Sequence, residues 1–156
     1  MKIMDFLNKK GISVNLKSKD KDGVIKELVD LIVKTGKIRP KDKDALVKII
    51  CDRESLGSTG IGQGIGIPHG KSQAVKELTG ACAISKDGVN FDSLDGEPVH
   101  IFFLLLAPHQ SAGPHLKALA RISRLLKDKY FRDMLKNAPT EKALINIIGK
   151  EDQKRH

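Results

Sequence analysis

Gly57-Ser58-Thr59-Gly60-Ile61-Gly62-Gln63-Gly64-Ile65-Gly66-Ile67-Pro68-His69-Gly70-Lys71-Ser72 is the stretch on which the reading of this chain turns. Six of the fourteen residues from Gly57 to Gly70 are glycine, too many for a helix and suited to a chain that turns tightly or comes close to a ligand. Ile65 and Ile67 alternate as in a short strand, and Pro68 pushes Ile67 toward extended backbone, so His69 is expected just past a strand end. Two nucleotide-binding readings fail on counting. A phosphate loop ending in Gly70-Lys71-Ser72 needs glycine where Ile65 stands, and Pro68 removes one of the cradling amides. A Gly-x-Gly-x-x-Gly turn started at Gly60, Gly62 or Gly64 meets Ile65, Ile67 or His69 at its last position.

Outward from this stretch, helical and extended patterns alternate. Toward the N-terminus, Ile12, Val14 and Leu16 predict a half-buried strand after Gly11. A helix follows with Val24, Leu28, Leu31 and Ile32 on one face, Asp20 and Asp22 at its start and Gly36 at its stop. Pro40 opens a second helix, with Ala45, Leu46, Ile49 and Ile50 buried, that ends near Arg53. Toward the C-terminus, Thr79 to Ser85 reads as a strand, Lys86-Asp87-Gly88 as a turn, and Val99 to Leu106 as a strand buried on both faces and ended by Pro108. Pro114 opens a helix carrying Leu116, Leu119, Ala120, Ser123 and Leu126 on one face, and short helices are expected near Phe131 to Leu135 and Thr140 to Ile148. The alternation indicates an α/β fold, and the 156 residues, without repeat or linker, suit one domain with its core over about residues 5 to 150.

Composition narrows the classes. Forty per cent hydrophobic and thirty per cent charged residues describe a globular chain. The longest uncharged apolar run, Ile101 to Ala107, has seven residues, against about 18 for a membrane span, so no membrane insertion is expected. The start, Met1-Lys2-Ile3-Met4-Asp5, lacks the apolar centre of a signal peptide, and the cytoplasm is the expected location. Cys51 and Cys82 form no CxxC pair and are expected to be reduced, packed thiols. The net charge of +9 would attract acidic partners, but the cations are interleaved with acids, as in Lys41-Asp42-Lys43-Asp44, and aromatics make up four per cent. That pattern describes a solvated surface rather than a nucleic-acid face.

What remains is an imidazole in a glycine-rich setting, with Arg53, Ser58, Thr59 and Lys71 near it in sequence as groups able to hold phosphate. Neutral imidazole is a nucleophile near neutral pH, its second nitrogen can be fixed by a hydrogen bond, and small neighbours admit a phosphate-bearing partner. Arginine, hydroxyls and amides, including that of Gly70, supply the charge stabilisation such a transfer needs. A turn histidine is also commonly structural. No three of His69, His100, His109 and His115 show a metal-ligand spacing, and neither metal nor cofactor is expected.

Arg53-Glu54-Ser55-Leu56-Gly57-Ser58-Thr59-Gly60-Ile61-Gly62, with Gly64-Ile65-Gly66-Ile67-Pro68-His69-Gly70-Lys71, resembles the signature of the fructose, mannitol and nitrogen-regulatory branch of enzyme IIA of the bacterial phosphotransferase system. The resemblance extends over roughly residues 5 to 150 and includes Val99-His100-Ile101-Phe102-Phe103-Leu104-Leu105-Leu106-Ala107-Pro108 and the His115-Leu116 helix start. It implies a single domain with a central mixed sheet flanked by helices on both sides. It also implies that His69 accepts phosphate from a histidine phosphocarrier protein, with His115 auxiliary and Arg53 stabilising the phosphoryl group. Gly66 stands where the family commonly has alanine, at an expected cost of about 0.5 to 1 kcal/mol of backbone entropy.

The Gly-Ser-Thr-Gly-Ile-Gly run most resembles the nitrogen-type proteins, and no permease, IIB or phosphocarrier segment is visible in the chain. A regulator is therefore expected, with a sugar-specific carrier feeding a IIB component as the alternative and a binding module that is never phosphorylated as a third. Against the chemical role, His115 could cap or pack, Arg53 could pair with Glu54, and Lys71 could be solvated. His100, His109 and the terminal His156 are expected to be structural or solvated. The oligomeric state, the sugar and the regulated partner are not legible.

Overall fold

Val99 to Leu106, apolar on both faces, belongs in the middle of a sheet, and the computed structural model places it there; the structure describes residues 1–111 and 113–154, so His156 lies outside the described residues. Strands β1 (Leu7–Ser13), β2 (Gly60–Gly62), β3 (Ile65–Gly66), β4 (His69–Ser72), β5 (Thr79–Val89) and β6 (Val99–Pro108) form one six-stranded sheet in the order β1-β5-β6-β3-β2, with β4 also on β6. β5 and β6 are antiparallel, β1 lies parallel to β5, and β3 and β4 lie parallel to β6. The sheet is mixed, as expected.

Alternate residues of β6 feed two cores. Phe102, Leu104 and Leu106 pack with Val24, Leu28 and Ile32 of helix α1 (Lys21–Lys34) and with Leu46 and Ile50 of α2 (Lys43–Ser55). Ile101, Phe103 and Leu105 pack on the other face with Ile122 of α3 (Gly113–Leu125), Phe131 of α4 (Lys129–Lys136) and Leu144 of α5 (Glu141–Lys154). Each such side chain contributes about 1.5 to 3 kcal/mol on burial, which makes β6 the axis of the fold. Helices therefore cover both faces. Among the described residues no helix is long and apolar enough to cross a membrane.

Local signals set most boundaries. Asp20 caps α1 by accepting from the Gly23 amide at 2.7 Å, and Gly36 follows the helix at φ +81°, where a side chain would be strained. Pro40 opens a 3-10 turn, Pro40–Asp42, that leads into α2. Three expectations are corrected and a fourth is extended. β1 starts at Leu7, before Gly11, because Asn8, Lys9 and Lys10 sit on an edge strand and hide its pattern. Lys86-Asp87-Gly88 is no chain reversal: β5 runs through it with a register shift between Ile84 and Val89, and Gly88 at φ +86° marks the irregularity. His69 comes just past a strand, β3, as expected, but it also opens a further strand, β4, that the sequence did not announce. β3 and β4 keep one register against β6, Ile65 to Ile101 and His69 to Leu105, with Ile67-Pro68 as the interruption.

The last correction concerns α3. Leu116, expected on its buried face, is 63% exposed, whereas His115, Ala118, Arg121, Ile122 and Leu125 are buried. The helix is turned toward two polar residues whose partners lie elsewhere in the chain. Arg121 is one: its Nε and Nη2 bond Asp152 Oδ1 at 3.1 and 2.8 Å, and Asp152 Oδ2 accepts from the Met4 amide at 3.0 Å.

Candidate functional site

The break at Pro68 creates the site. Proline has no N–H to give β6, so the strand pauses there, while the Pro68 carbonyl still accepts from Leu105 N at 3.1 Å. The Ile67 carbonyl, freed from the ladder, lies 2.8 Å from His69 Nδ1. A carbonyl can only accept, so Nδ1 carries the proton and Nε2 holds the lone pair. His69 is half-buried. Beside it Gly70 lets α2 come close: a Cβ there would lie 2.8 Å from Ile50 Cδ1 and 3.2 Å from Ile49 Cγ2. A side chain at this position would force Ile50 to shift, so glycine keeps β4 close against the helix.

His115 comes to this place from far along the chain. It lies in the first turn of α3, its ring centroid 5.3 Å from that of His69 and tilted 54° to it. It is 6% exposed, and its Nδ1 is the buried side-chain polar atom without a hydrogen-bond partner among the described residues. Burial first, then the nearby charges of His69 and Lys71, push its pKa down to about 4. His115 is neutral at physiological pH. An unpartnered buried nitrogen costs about 1 to 3 kcal/mol, and it sits beside a free imidazole nitrogen, a lysine and helix amides that favour an anion.

The structure treats the other candidates unequally. Lys71 is half-buried and close enough for its charge to bear on His115. Arg53 lies in the last turn of α2 and donates from Nη1 to the Gly57 carbonyl, just beyond the helix, at 2.9 Å; it makes no ion pair with Glu54. Ser58 gives its hydroxyl proton to the Phe91 carbonyl at 2.7 Å and accepts from the Gly60 amide at 2.9 Å. Thr59 gives its hydroxyl proton to Glu54. A hydroxyl has one proton to donate, so in this geometry neither Ser58 nor Thr59 offers one to phosphate. They build the loop instead.

Sequence reasoning passed over Glu54. It is 4% exposed, and its carboxylate accepts from the Thr59 amide at 3.0 Å and lies 3.2 Å from Lys21 Nζ. A signal was present: Glu54 stands four residues after Ile50 and eight after Leu46, on the face of α2 that is buried, although its charge argued against burial. His100 is structural, its Nδ1 2.9 Å from the Ser85 carbonyl, and His109 lies in an exposed turn. Cys82 is buried, which raises its thiol pKa, and Cys51 is half-buried with Sγ 3.6 Å from Asp22 Oδ1. Among the described residues no three His, Cys, Asp or Glu side chains are grouped to hold a metal.

Two imidazoles thus meet where strand β4 borders the sheet, one on the strand and one on the first turn of α3. Residues 5–151 match the family model of the phosphoenolpyruvate-dependent sugar phosphotransferase system, EIIA 2, and the chain belongs to that family. It is a component of a phosphotransferase system. It is 43% identical over 153 residues, 98% of its length, to the fructose-specific EIIABC component of Bacillus subtilis (strain 168), of which it spans 24%. It is 34% identical over 149 residues to a nitrogen regulatory protein of Bradyrhizobium diazoefficiens, covering 96% of this chain and 95% of that one. The crystal structure of the nitrogen regulatory protein IIA-Ntr from Neisseria meningitidis superposes with a TM-score of 0.84 at 30% identity, covering 94% of this chain and 98% of that one.

Proposed function

We propose that the chain is a cytoplasmic phosphoryl carrier that takes phosphate on Nε2 of His69 from a histidine phosphocarrier protein and serves as a regulator of the nitrogen type. The observation that carries this is the Nδ1 contact with the Ile67 carbonyl, which leaves Nε2 as the nucleophile. Nε2 attacks the phosphorus of the donor's phosphohistidine; the new N–P bond forms as the donor's N–P bond breaks, and the donor nitrogen keeps the electron pair. Nδ1 retains its proton on Ile67, so the ring shares a positive charge that offsets the arriving dianion. In this reading His115, Lys71 and the amides opening α3 hold the phosphoryl oxygens, which the unpartnered His115 Nδ1 and the nearness of Lys71 to His115 support. Arg53 joins them once it leaves Gly57.

Incubation with enzyme I, the phosphocarrier and phosphoenolpyruvate tests this. The chain is expected to gain one acid-labile, base-stable phosphate, and an unchanged mass under conditions that label a known enzyme IIA would refute the reading. The 43% identity to a fructose-specific EIIABC component supports a second reading, a sugar-specific carrier. Rapid loss of the label to a fructose-type IIB component would favour that branch; retention of the label favours the regulator.

A further inference from the structure

The glycine-rich loop is tied to the buried carboxylate of Glu54 and, two hydrogen bonds further on, to His69. Glu54 accepts from the Thr59 amide at 3.0 Å through Oε1 and from the Thr59 hydroxyl through the same oxygen. Its Oε2 lies 3.2 Å from Lys21 Nζ, which also lies 3.3 Å from Asp92 Oδ2 and 5.1 Å from the Phe91 ring centroid. Held in this way, Thr59 presents its carbonyl to the Ile67 amide at 3.0 Å. The Ile67 carbonyl, in turn, takes the Nδ1 proton of His69 at 2.8 Å. Lys21, Glu54, Thr59, Ile67 and His69 thus form one line of polar contacts from α1 to the reacting ring.

We infer that Glu54 is a positioning residue for phosphoryl transfer: with Lys21 it locks Thr59, and through Thr59 and Ile67 it holds His69 in the tautomer whose Nε2 is free to react. The inference rests on His69 being the phosphate acceptor. Burying a carboxylate is costly unless it is paired and fully hydrogen-bonded, and a well-packed apolar side chain would stabilise the loop as well or better. What an apolar side chain cannot do is take the amide and hydroxyl of Thr59 and a lysine ammonium at once. Ile67 is the hinge of the relay. Pro68 keeps it extended, so its amide and carbonyl lie along the same edge of the strand, the amide bonding the Thr59 carbonyl and the carbonyl next to it left for the imidazole. Low dielectric around Glu54 and Thr59, at 4% and 5% exposure, strengthens the relay, because each bond polarises the next.

Glu54→Gln keeps the shape but places an amide N–H₂ group against Lys21 or Thr59, so the relay loosens at its origin. Two readouts separate positioning from mere folding. Nitrogen-15 spectra of the His69 ring are expected to show the single Nδ1–H tautomer in the wild type and a tautomer mixture in Glu54→Gln. Phosphoryl uptake is expected to show a kcat about 10- to 100-fold lower with the KM for the phosphocarrier unchanged, since a buried side chain touches no partner but sets the attack geometry. Should Glu54→Gln not fold, Thr59→Val removes one hydroxyl bond at constant volume and is expected to move both readouts the same way by less. A folded variant that labels at the wild-type kcat with an unchanged ring spectrum overturns the inference. A wild-type chain that takes no phosphate overturns the carrier reading and this inference together.

Discussion

His115 is neutral where it lies, and its pKa of about 4, against an ordinary value near 6.5, makes it a stability switch as well as a candidate helper. Above pH 6.5 neither the folded nor the unfolded chain protonates it, and it adds no slope. Between pH 6.5 and 4 the unfolded chain takes a proton that the folded chain refuses. Stability is therefore expected to fall as the pH falls through this window, by on the order of 3 kcal/mol in all, and to level off below it. Urea midpoints measured against pH for the wild type and His115→Gln test this; equal slopes for the two would refute it. Phosphoryl labelling separates the roles. His69→Ala is expected to abolish label, whereas His115→Ala is expected to slow uptake, because only the first removes the proposed nucleophile. The reverse pattern would show the roles exchanged. Arg53→Lys loses the planar fork and the Gly57 bond, and uptake is expected to slow about tenfold, read as initial labelling rate, for at most about 1 kcal/mol of stability.

At the scale of elements, two glycines decide how closely strands meet their neighbours. Gly70→Ala would drive a methyl into Ile50, a fully buried side chain of α2, and push β4 and its first residue, His69, outward. Chemical denaturation is expected to show a loss of about 1 to 3 kcal/mol, accompanied by slower labelling. Gly66 is the more instructive case. Its lack of a side chain was expected to weaken β3, yet a Cβ there would lie 3.2 Å from the ring of buried Phe102 and 3.3 Å from Val99 Cγ1. The Phe102 ring occupies the space an alanine would use, and it meets Phe91 edge-on at 5.1 Å. Gly66→Ala is expected to destabilise by about 1 kcal/mol despite its entropic gain, measured by the same denaturation. A stabilised variant would show that Phe102 yields easily.

For the whole molecule, the Arg121–Asp152 pair joins α3, α5 and the N-terminal turn at one buried point. The site histidine stands six positions before Arg121 on α3, so the same bond that fastens the end of the chain also sets the helix that carries His115. Arg121→Met leaves the Asp152 carboxylate buried without its partner and is expected to cost about 3 to 5 kcal/mol. Arg121→Met combined with Asp152→Leu removes both charges and is expected to recover much of the loss. Urea unfolding of the two single variants and the double variant gives the coupling, and additive losses would mean that the pair is not coupled.

The α/β class, both N-terminal helices and the aspartate that opens the first, the central strand and the histidine that follows Pro68 were all legible in the sequence, because each is written in contiguous residues: a period, a capping aspartate, an apolar run, a motif. Tertiary structure decided the rest. Which face α3 buries depends on Arg121 meeting Asp152, and a polar residue's burial is set by a partner that no local period reveals. That His115 lies against His69 with an unpartnered nitrogen, that Ser58 and Thr59 spend their hydroxyl protons inside the loop, and that Glu54, on the face of α2 that the period marks as buried, meets Lys21 and Thr59 there are outcomes of the same kind. Local pattern sets which segments become helices and strands. Where two polar groups far apart in sequence come together is decided only when the packed layers bring them within hydrogen-bond distance, since burial then makes an unpaired group costly and a paired one specific.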